Sequence, residues 1–202
     1  MAVQTLDMSG KLAACAFELF ARHGIRDVSM DMIAAHANCT KGSLYWHFDT
    51  KKEVILAACD HYYQTWRQRI GAELRGVTDP MKRLERAVRF NVRSCMVDPK
   101  NRVFTLGIMA LSLQDPDVRA SWARFYSEAR EVLVGLVEDA KAAGRIAPAD
   151  SRRATDLMLV ALEGIKLRSV IETAAVLPRE EKRIYAELME ILSGLGRGAR
   201  AQ

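Results

Sequence analysis

The segment from residue 29 to residue 48, SMDMIAAHANCTKGSLYWHF, constrains the fold more than any other stretch. Ser29 and Thr40 are each suited to cap a short helix, because a side-chain hydroxyl can accept a hydrogen bond from a free amide of the first turn. Asn38 lies between them, and asparagine tolerates the positive φ with which many helices end. The pattern predicts two short helices joined by a tight turn, which is the helix-turn-helix unit.

The second of these helices has an unusual surface. Only Leu44 and Phe48, four residues apart, are expected to face inward. The remaining side chains are hydrogen-bond donors that suit phosphates and base edges better than a core: Thr40, Lys41, Ser43, Tyr45, Trp46 and His47. The composition therefore favours DNA binding. The alternative is a surface helix whose aromatic side chains pack on a neighbour.

The rest of the chain is predicted to be helical. Leu12, Ala16 and Leu19 mark a first helix that ends at Gly24, and Thr50 with Glu53 can form a capping box for a fourth helix that starts at Lys51. Further helices are predicted from Pro80 to about Asp98, over residues 102–113, 116–143 and 152–175, and from Pro178 onward. The sequence therefore predicts an all-α protein of about nine helices. Residues 1–50 would form a three-helix head, and residues 51–202 a larger helical domain.

Composition and charge limit the partners. The net charge of +5 is compatible with a nucleic acid, yet residues 1–55 contain equal numbers of basic and acidic side chains. Phosphate affinity would therefore depend on where Lys41, Lys51, Lys52 and the helix N-termini point. The sequence has neither a run of about 18 apolar residues nor a secretory signal, so we expect a cytoplasmic protein without a membrane span.

No catalytic or metal-binding pattern is visible. Cys15, Cys39, Cys59 and Cys95 are widely spread and form no C-x-x-C pair, so neither a zinc site nor a disulfide framework is expected. We expect Cys15 and Cys95 to be buried, and we note that oxidation of Cys39 could disturb the adjacent helix. The histidines form no set with acids or thiols, so we expect no cofactor, and an enzyme is disfavoured. A helical protein-interaction module without sequence-specific DNA binding stays open, because the head is formally neutral.

Several motifs agree in order and spacing with one known family. Residues 16–24 (AFELFARHG), Ser29, Ile33-Ala34, residues 40–48 (TKGSLYWHF) and residues 51–53 (KKE) resemble the N-terminal head of TetR-family transcriptional repressors. The resemblance covers about residues 10–55. Asn38 stands where the family usually has Gly, and Cys39 where it usually has Val or another small apolar residue. Both departures suit the same backbone and burial.

The resemblance implies a homodimer that binds a palindromic operator in double-stranded DNA and is released by a small-molecule inducer. With the surface of the second short helix, it identifies the candidate DNA-contacting residues. These are Ser29, Thr40, Lys41, Gly42, Ser43, Tyr45, Trp46, His47 and Lys51.

The eighth helix is apolar on more than one side, and a helix with two apolar faces needs a second partner. We therefore expect the last two helices to form the dimer interface, although a central helix buried within one subunit would show the same pattern. The candidate interface residues are Leu157, Ala161, Gly164, Ile165, Arg168, Leu188, Ile191 and Leu192. Glu163 and Arg168 are expected to form an ion pair at the subunit interface or, less favourably, to bind a polar group of the inducer.

The middle helices are rich in aromatic residues, which suits a lipophilic small molecule. The resemblance implies an inducer pocket in this region. Its candidate residues are Tyr62, Trp66, Phe90, Phe104, Met109, Trp122, Phe125 and Tyr126. For any one of them, a place in the ordinary core is the simpler interpretation.

Overall fold

The computed structural model describes residues 8–172 and 180–193. These residues form nine α-helices, one π-helical segment and no strand, so the predicted all-α fold is confirmed. The helices are α1 Met8–His23, α2 Met30–His36, α3 Lys41–His47, α4 Lys51–Leu74, α5 Pro80–Val92, α6 Pro99–Ser112, α7 Pro116–Ala142, α8 Ser151–Ile171 and α9 Glu181–Ser193, with the π-helical segment at Arg93–Val97.

The described residues belong to two compact units. The first consists of the described residues up to Gln68 together with Pro99–Phe125, and the second of Arg69–Asp98 together with the described residues from Tyr126 onward. The first unit therefore contains the three-helix head, most of α4, all of α6 and the start of α7. The helices α4 and α7 each contribute residues to both units.

Local hydrogen bonds explain the ends of the short helices. Ser29 Oγ accepts from the Met32 amide at 3.2 Å, and Thr40 Oγ1 accepts from the Ser43 amide at 3.1 Å. Asn38 has a φ of 53°, the left-handed conformation that ends α2. The predicted caps and turn are confirmed.

The predicted capping box at α4 is also present, with one difference. Thr50 Oγ1 accepts from the Glu53 amide at 3.2 Å, whereas the Glu53 carboxylate accepts from the amide of Asp49 at 2.8 Å rather than from that of Thr50.

The core of the first unit is built on α1. This helix packs on α2 and on α6, and its buried side chains include Leu12, Leu19 and Phe20. The loop after α1 lies very close to α6: a Cβ atom at Gly107 would stand 3.2 Å from Cδ1 of Ile25. Glycine at this position gives the loop room to pack against the helix.

In the second unit, α9 packs against α5 and α8, and α8 also contacts the π-helical segment. The predicted fifth helix was expected to reach Asp98 without interruption. Instead, α5 ends at Val92, the π-helical turn is closed by a 3.0 Å hydrogen bond from the Asp98 amide to the Arg93 carbonyl, and α6 begins at Pro99. Pro99 restricts Asp98 to an extended backbone, which explains why the helix must stop there. The predicted start at Pro178 and the last residues of the predicted eighth helix lie outside the described residues.

Candidate functional site

The outer face of α3 consists of polar and aromatic side chains that point away from the first unit. Trp46 is 82% exposed, and Thr40, Lys41, Gly42 and Tyr45 are also exposed. Leu44 is fully buried and Phe48 nearly so, which confirms the predicted inward pair. The helix is therefore held by two apolar anchors and keeps its donors available to a partner.

The remaining side chains of α3 are only partly covered. Ser43 and His47 are half-buried, and the rings of Trp46 and His47 meet edge to face with their centroids 4.6 Å apart. This contact fixes the two rings relative to each other at the end of the helix. Ser29, which caps α2, is exposed.

Lys41 has an acidic neighbour on α2. Its ammonium nitrogen lies 2.8 Å from Oδ1 of Asp31, and both side chains are well exposed to solvent. The hydrogen bond to Asp31 raises the pKa of Lys41, so the ammonium stays charged. Because exposed ion pairs contribute little to stability, exchanging the Asp31 carboxylate for another anion costs little.

Lys51 is placed differently from the other candidate DNA contacts. Its side chain is half-buried, and its ammonium nitrogen donates to the Arg26 carbonyl at 3.2 Å. Burial lowers the pKa of Lys51, and the field of Asp27 partly opposes this effect.

Five of the candidate ligand residues meet in an aromatic cluster in the first unit. Tyr62, Trp66, Phe104 and Trp122 are buried, and the half-buried Phe125 lies 4.9–5.7 Å, centroid to centroid, from the rings of Tyr62, Trp66 and Trp122. These rings pack on one another and form part of the core of this unit.

Two members of this cluster were not identified from the sequence. Phe17 of α1 meets Phe104 edge to face, with centroids 4.9 Å apart, and His61 lies 5.7 Å from Phe17. Burial lowers the pKa of His61. Phe17 stands beside the main apolar stripe of α1, so periodicity alone did not mark it.

The other three candidate ligand residues, Phe90, Met109 and Tyr126, are half-buried. Tyr126 donates a short hydrogen bond from its hydroxyl to Oε1 of Glu163 in the second unit. Oε2 of the same carboxylate lies 2.5 Å from the ammonium nitrogen of Lys166, which is only 1% exposed. Lys166 was not identified from the sequence, because a lysine in a helix is expected to be exposed to solvent.

Glu163 and Arg168 do not pair with each other within the chain. The Arg168 guanidinium instead bonds to Glu172 at 2.7 and 2.9 Å. Residues five apart point roughly 140° away from each other around a helix, whereas residues three or four apart are neighbours. Glu163 therefore pairs with Lys166, three residues away, and Arg168 pairs with Glu172, four residues away.

One face of α8 is apolar and uncovered in the single chain. Val160 is 68% and Ile171 76% exposed, and Leu157 and Leu167 are also exposed. With Gly164 they repeat at intervals of three and four residues, which places them on one stripe of the helix.

The candidate interface residues thus fall into three groups. Leu157, Gly164 and Arg168 are exposed, whereas Ala161, Ile165 and Ile191 are half-buried and Leu188 and Leu192 are buried within the unit. Sequence reasoning missed Val160 and Ile171, although their spacing from Leu157 marks both.

The four cysteines form no disulfide. Cys15 and Cys95 are half-buried rather than buried as expected, although burial raises the pKa of the Cys95 thiol to about 11.

Within residues 8–172 and 180–193 there is no group of three His, Cys, Asp or Glu side chains placed to hold a metal ion. No helix in these ranges is long and apolar enough to cross a membrane.

Comparison with known proteins gives matches over both parts of the chain. The family model "Bacterial regulatory proteins, tetR family" matches residues 12–58, and "BetI-type transcriptional repressor, C-terminal" matches residues 80–198. The regulator TtgW of Pseudomonas putida is 36% identical over 56 residues, which are 28% of this chain and 42% of that protein. The chain thus aligns with less than half the length of the curated relatives that it matches.

Solved structures agree over nearly the whole chain. A TetR transcription regulator from Haloarcula marismortui has a TM-score of 0.80 at 17% identity, covering 92% of this chain and 96% of that one. A transcriptional regulator from Saccharomonospora viridis in complex with choline has a TM-score of 0.79 at 17% identity, covering 91% and 94%. At this identity the structures establish the fold, and the two family models extend the agreement to the sequence. The chain belongs to the TetR family of transcriptional regulators.

Proposed function

We propose that this protein is a ligand-responsive repressor that acts in the cytoplasm, binds a palindromic operator as a homodimer and is released by a lipophilic small molecule. The observation that carries the proposal is the outer face of α3, where Trp46 is 82% exposed while Leu44 and Phe48 anchor the helix from below. The exposed Tyr45 and the donors of Thr40, Lys41 and Ser43 belong to the same short helix and its cap, and such donors match the base edges and phosphates of a duplex.

On this proposal, Lys41 exchanges Asp31 for a DNA phosphate, while Tyr45, Trp46 and His47 reach base edges or the backbone. Thr40, Ser43 and Ser29 can donate from their hydroxyls. A Cβ atom at Gly42 would have only Thr40 Oγ1, 3.9 Å away, as a neighbour. No contact inside the protein therefore requires glycine there, which supports close approach of the DNA backbone.

Dimer formation is supported by the uncovered apolar stripe of α8. A second copy of the same stripe would cover Leu157, Val160, Leu167 and Ile171, and Gly164 would let the two helices approach closely. A two-fold dimer would place its two α3 helices about 34–36 Å apart on DNA, in successive turns of the major groove.

The aromatic cluster of the first unit supports a small-molecule ligand, because its rings offer contacts to a lipophilic body. The S. viridis neighbour was solved with choline. A small organic cation is therefore a second class of ligand to test, because aromatic faces attract cations.

The helix α4 supplies a route for regulation, because it runs without interruption from Lys51 to Leu74. A ligand that favours one placement of α4 over another would change the spacing of the two heads and lower operator affinity. By thermodynamic linkage, the operator must then weaken ligand binding by the same factor.

The test is a mobility-shift titration of the full chain with the DNA upstream of its own gene, against a scrambled duplex of equal length. The proposal expects a specific complex that weakens steeply with salt. A helical protein-interaction module, the alternative left by the neutral head, would form no such complex with either duplex.

A further inference from the structure

The first unit contains a cavity of about 540 Å³ that is separate from the aromatic cluster. One wall is the loop after α1, from Gly24 to Asp27, and a second is the first turn of α4. The third is formed by α6 and the start of α7, including Leu111 and Val118. A volume of this size is in the range of small-molecule sites.

The cavity has both apolar and charged walls. Ile25 and Leu111, which are half-buried, supply apolar surface, and the charged lining residues are Arg26, Asp27, Lys51, Lys52 and Asp115. Lys51 lines the same space, half-buried, with one of its three ammonium hydrogens directed to the Arg26 carbonyl at 3.2 Å.

The neighbouring lysine differs in its surroundings. Lys52 forms ion pairs with Asp115, at 3.4 Å, and with Asp117. Within the described part of the chain, Lys51 forms no ion pair, and only the field of Asp27 offsets its loss of water. A cation that is partly removed from water and lacks a bonded counter-charge favours an anion from outside.

We propose that this cavity is a second ligand site, which takes a small amphipathic carboxylate. The carboxylate accepts hydrogen bonds from the ammonium of Lys51, and the first turn of α4 adds a favourable dipole. The apolar part of the ligand lies along Ile25 and Leu111. A neutral analogue would lose the charged contact, and an ammonium analogue could not accept a hydrogen bond from Lys51.

The position of the cavity suggests a regulatory effect. The loop that forms its first wall joins α1 to the helix-turn-helix pair, and Ile25 of this loop packs closely against α6 at Gly107. A ligand lying between the loop and α6 would therefore act directly on the chain that positions α2. The binding itself does not depend on the proposed operator function.

The test is a titration of the full chain, labelled with ¹³C at the isoleucine δ1 methyl groups, with octanoate, octanol and octylammonium in the absence of DNA. The proposal expects the Ile25 and Ile55 methyl signals to shift with octanoate and to saturate. Ile146 and Ile184, in the second unit, serve as internal references. Octanol and octylammonium should bind this site at least about tenfold more weakly, as expected for loss of a charged hydrogen bond.

Three variants sharpen the experiment. Lys51→Met should weaken octanoate binding by about tenfold or more, whereas Lys51→Arg, which keeps the charge, should largely retain it. Leu111→Trp should fill the cavity and abolish the response of Ile25. Lys100→Met is the matched control, because it removes another lysine of the same unit, paired with Glu18 at 2.5 Å, without touching the cavity.

The proposal is overturned if octanoate leaves the Ile25 and Ile55 signals unmoved, or if octanol binds there as tightly as octanoate. It is equally overturned if Lys51→Met and Lys100→Met behave alike while both retain the methyl spectrum of the folded protein. None of these results depends on whether the protein binds an operator.

Discussion

Lys166 and Glu163 form an ion pair in the second unit, with the ammonium nitrogen 2.5 Å from Oε2 of the carboxylate and the lysine side chain only 2% exposed. Replacing the Glu163 carboxylate by a neutral amide removes a charged hydrogen-bond partner from a lysine that lies almost entirely out of water. We expect Glu163→Gln to lower the free energy of unfolding by about 1.5–3 kcal/mol, measured by urea denaturation.

Arg168→Ala is the matched control for that experiment, because it breaks an ion pair on the same helix whose members are both exposed. Its cost should stay below about 1 kcal/mol. Equal losses of unfolding free energy for the two variants would show that the Lys166–Glu163 pair contributes no more to stability than an exposed ion pair does.

The outer face of α3 gives a prediction for DNA binding. Lys41→Ala should weaken binding to every sequence and reduce the slope of log affinity against log salt by about one, as expected for loss of one phosphate contact. Tyr45→Ala should instead relax selectivity between the operator and a scrambled duplex. Asp31→Asn, which removes the acidic partner of Lys41, should strengthen binding. If all three variants bind like the wild type in fluorescence anisotropy, α3 is not the DNA-contacting helix.

The apolar stripe of α8 gives a prediction for assembly. Val160→Glu or Leu167→Glu would place a charge in the centre of the proposed interface, and we expect the dimer to dissociate in light scattering coupled to size-exclusion chromatography. Leu113→Glu is the control, because Leu113 is 84% exposed but lies in the first unit. The same mass for all three variants and the wild type would rule out this face as the interface.

His61 gives a prediction for pH. Burial lowers its pKa below the ordinary value of 6.5, so the unfolded chain takes up a proton at a higher pH than the folded chain does. The contribution of His61 to stability is therefore complete above about pH 6.5 and declines as the pH falls through 6.5 toward the lower folded pKa. His61→Gln should flatten the dependence of the urea midpoint on pH between about 7.5 and 5.5. A pH profile of the variant equal to that of the wild type would contradict this prediction.

The cysteines should differ widely in reactivity. Burial raises the pKa of the Cys59 thiol to about 12, against an ordinary value of 9.0. Because the thiolate is the reactive species, Cys59 should react with a thiol reagent near neutral pH on the order of a thousandfold more slowly than an unshifted thiol of equal access. Quenched labelling followed by peptide mass spectrometry would measure each cysteine, with the denatured chain as the reference. Fast labelling of Cys59 would mean that this part of α4 opens readily.

Those features that depend on neighbouring residues could be predicted from the sequence. The caps at Ser29, Thr40 and Thr50 and the turn at Asn38 each involve groups within a few residues of one another, so the order of side chains determines them. The inward pair of Leu44 and Phe48 follows from helical spacing alone.

Features that depend on distant parts of the chain could not be predicted in this way. The partner of Lys51 lies 25 residues away, and that of Tyr126 lies 37 residues away. The burial of Lys166 depends on how α8 packs within its unit, and the interruption of α5 depends on where the chain must turn before Pro99. Neither the burial of Lys166 nor the end of α5 can be predicted from the helical periodicity of the sequence.

The Thr40 hydroxyl has two roles at the start of α3. Its oxygen accepts the Ser43 amide at 3.1 Å, while its hydrogen remains available to a molecule outside. Replacing it with valine would preserve the shape but remove both functions, and only a few small polar residues could take its place. Evolution toward a new operator is therefore restricted at position 40 and freer at Tyr45 and Trp46, where side chains can be exchanged without disturbing the way the helix begins.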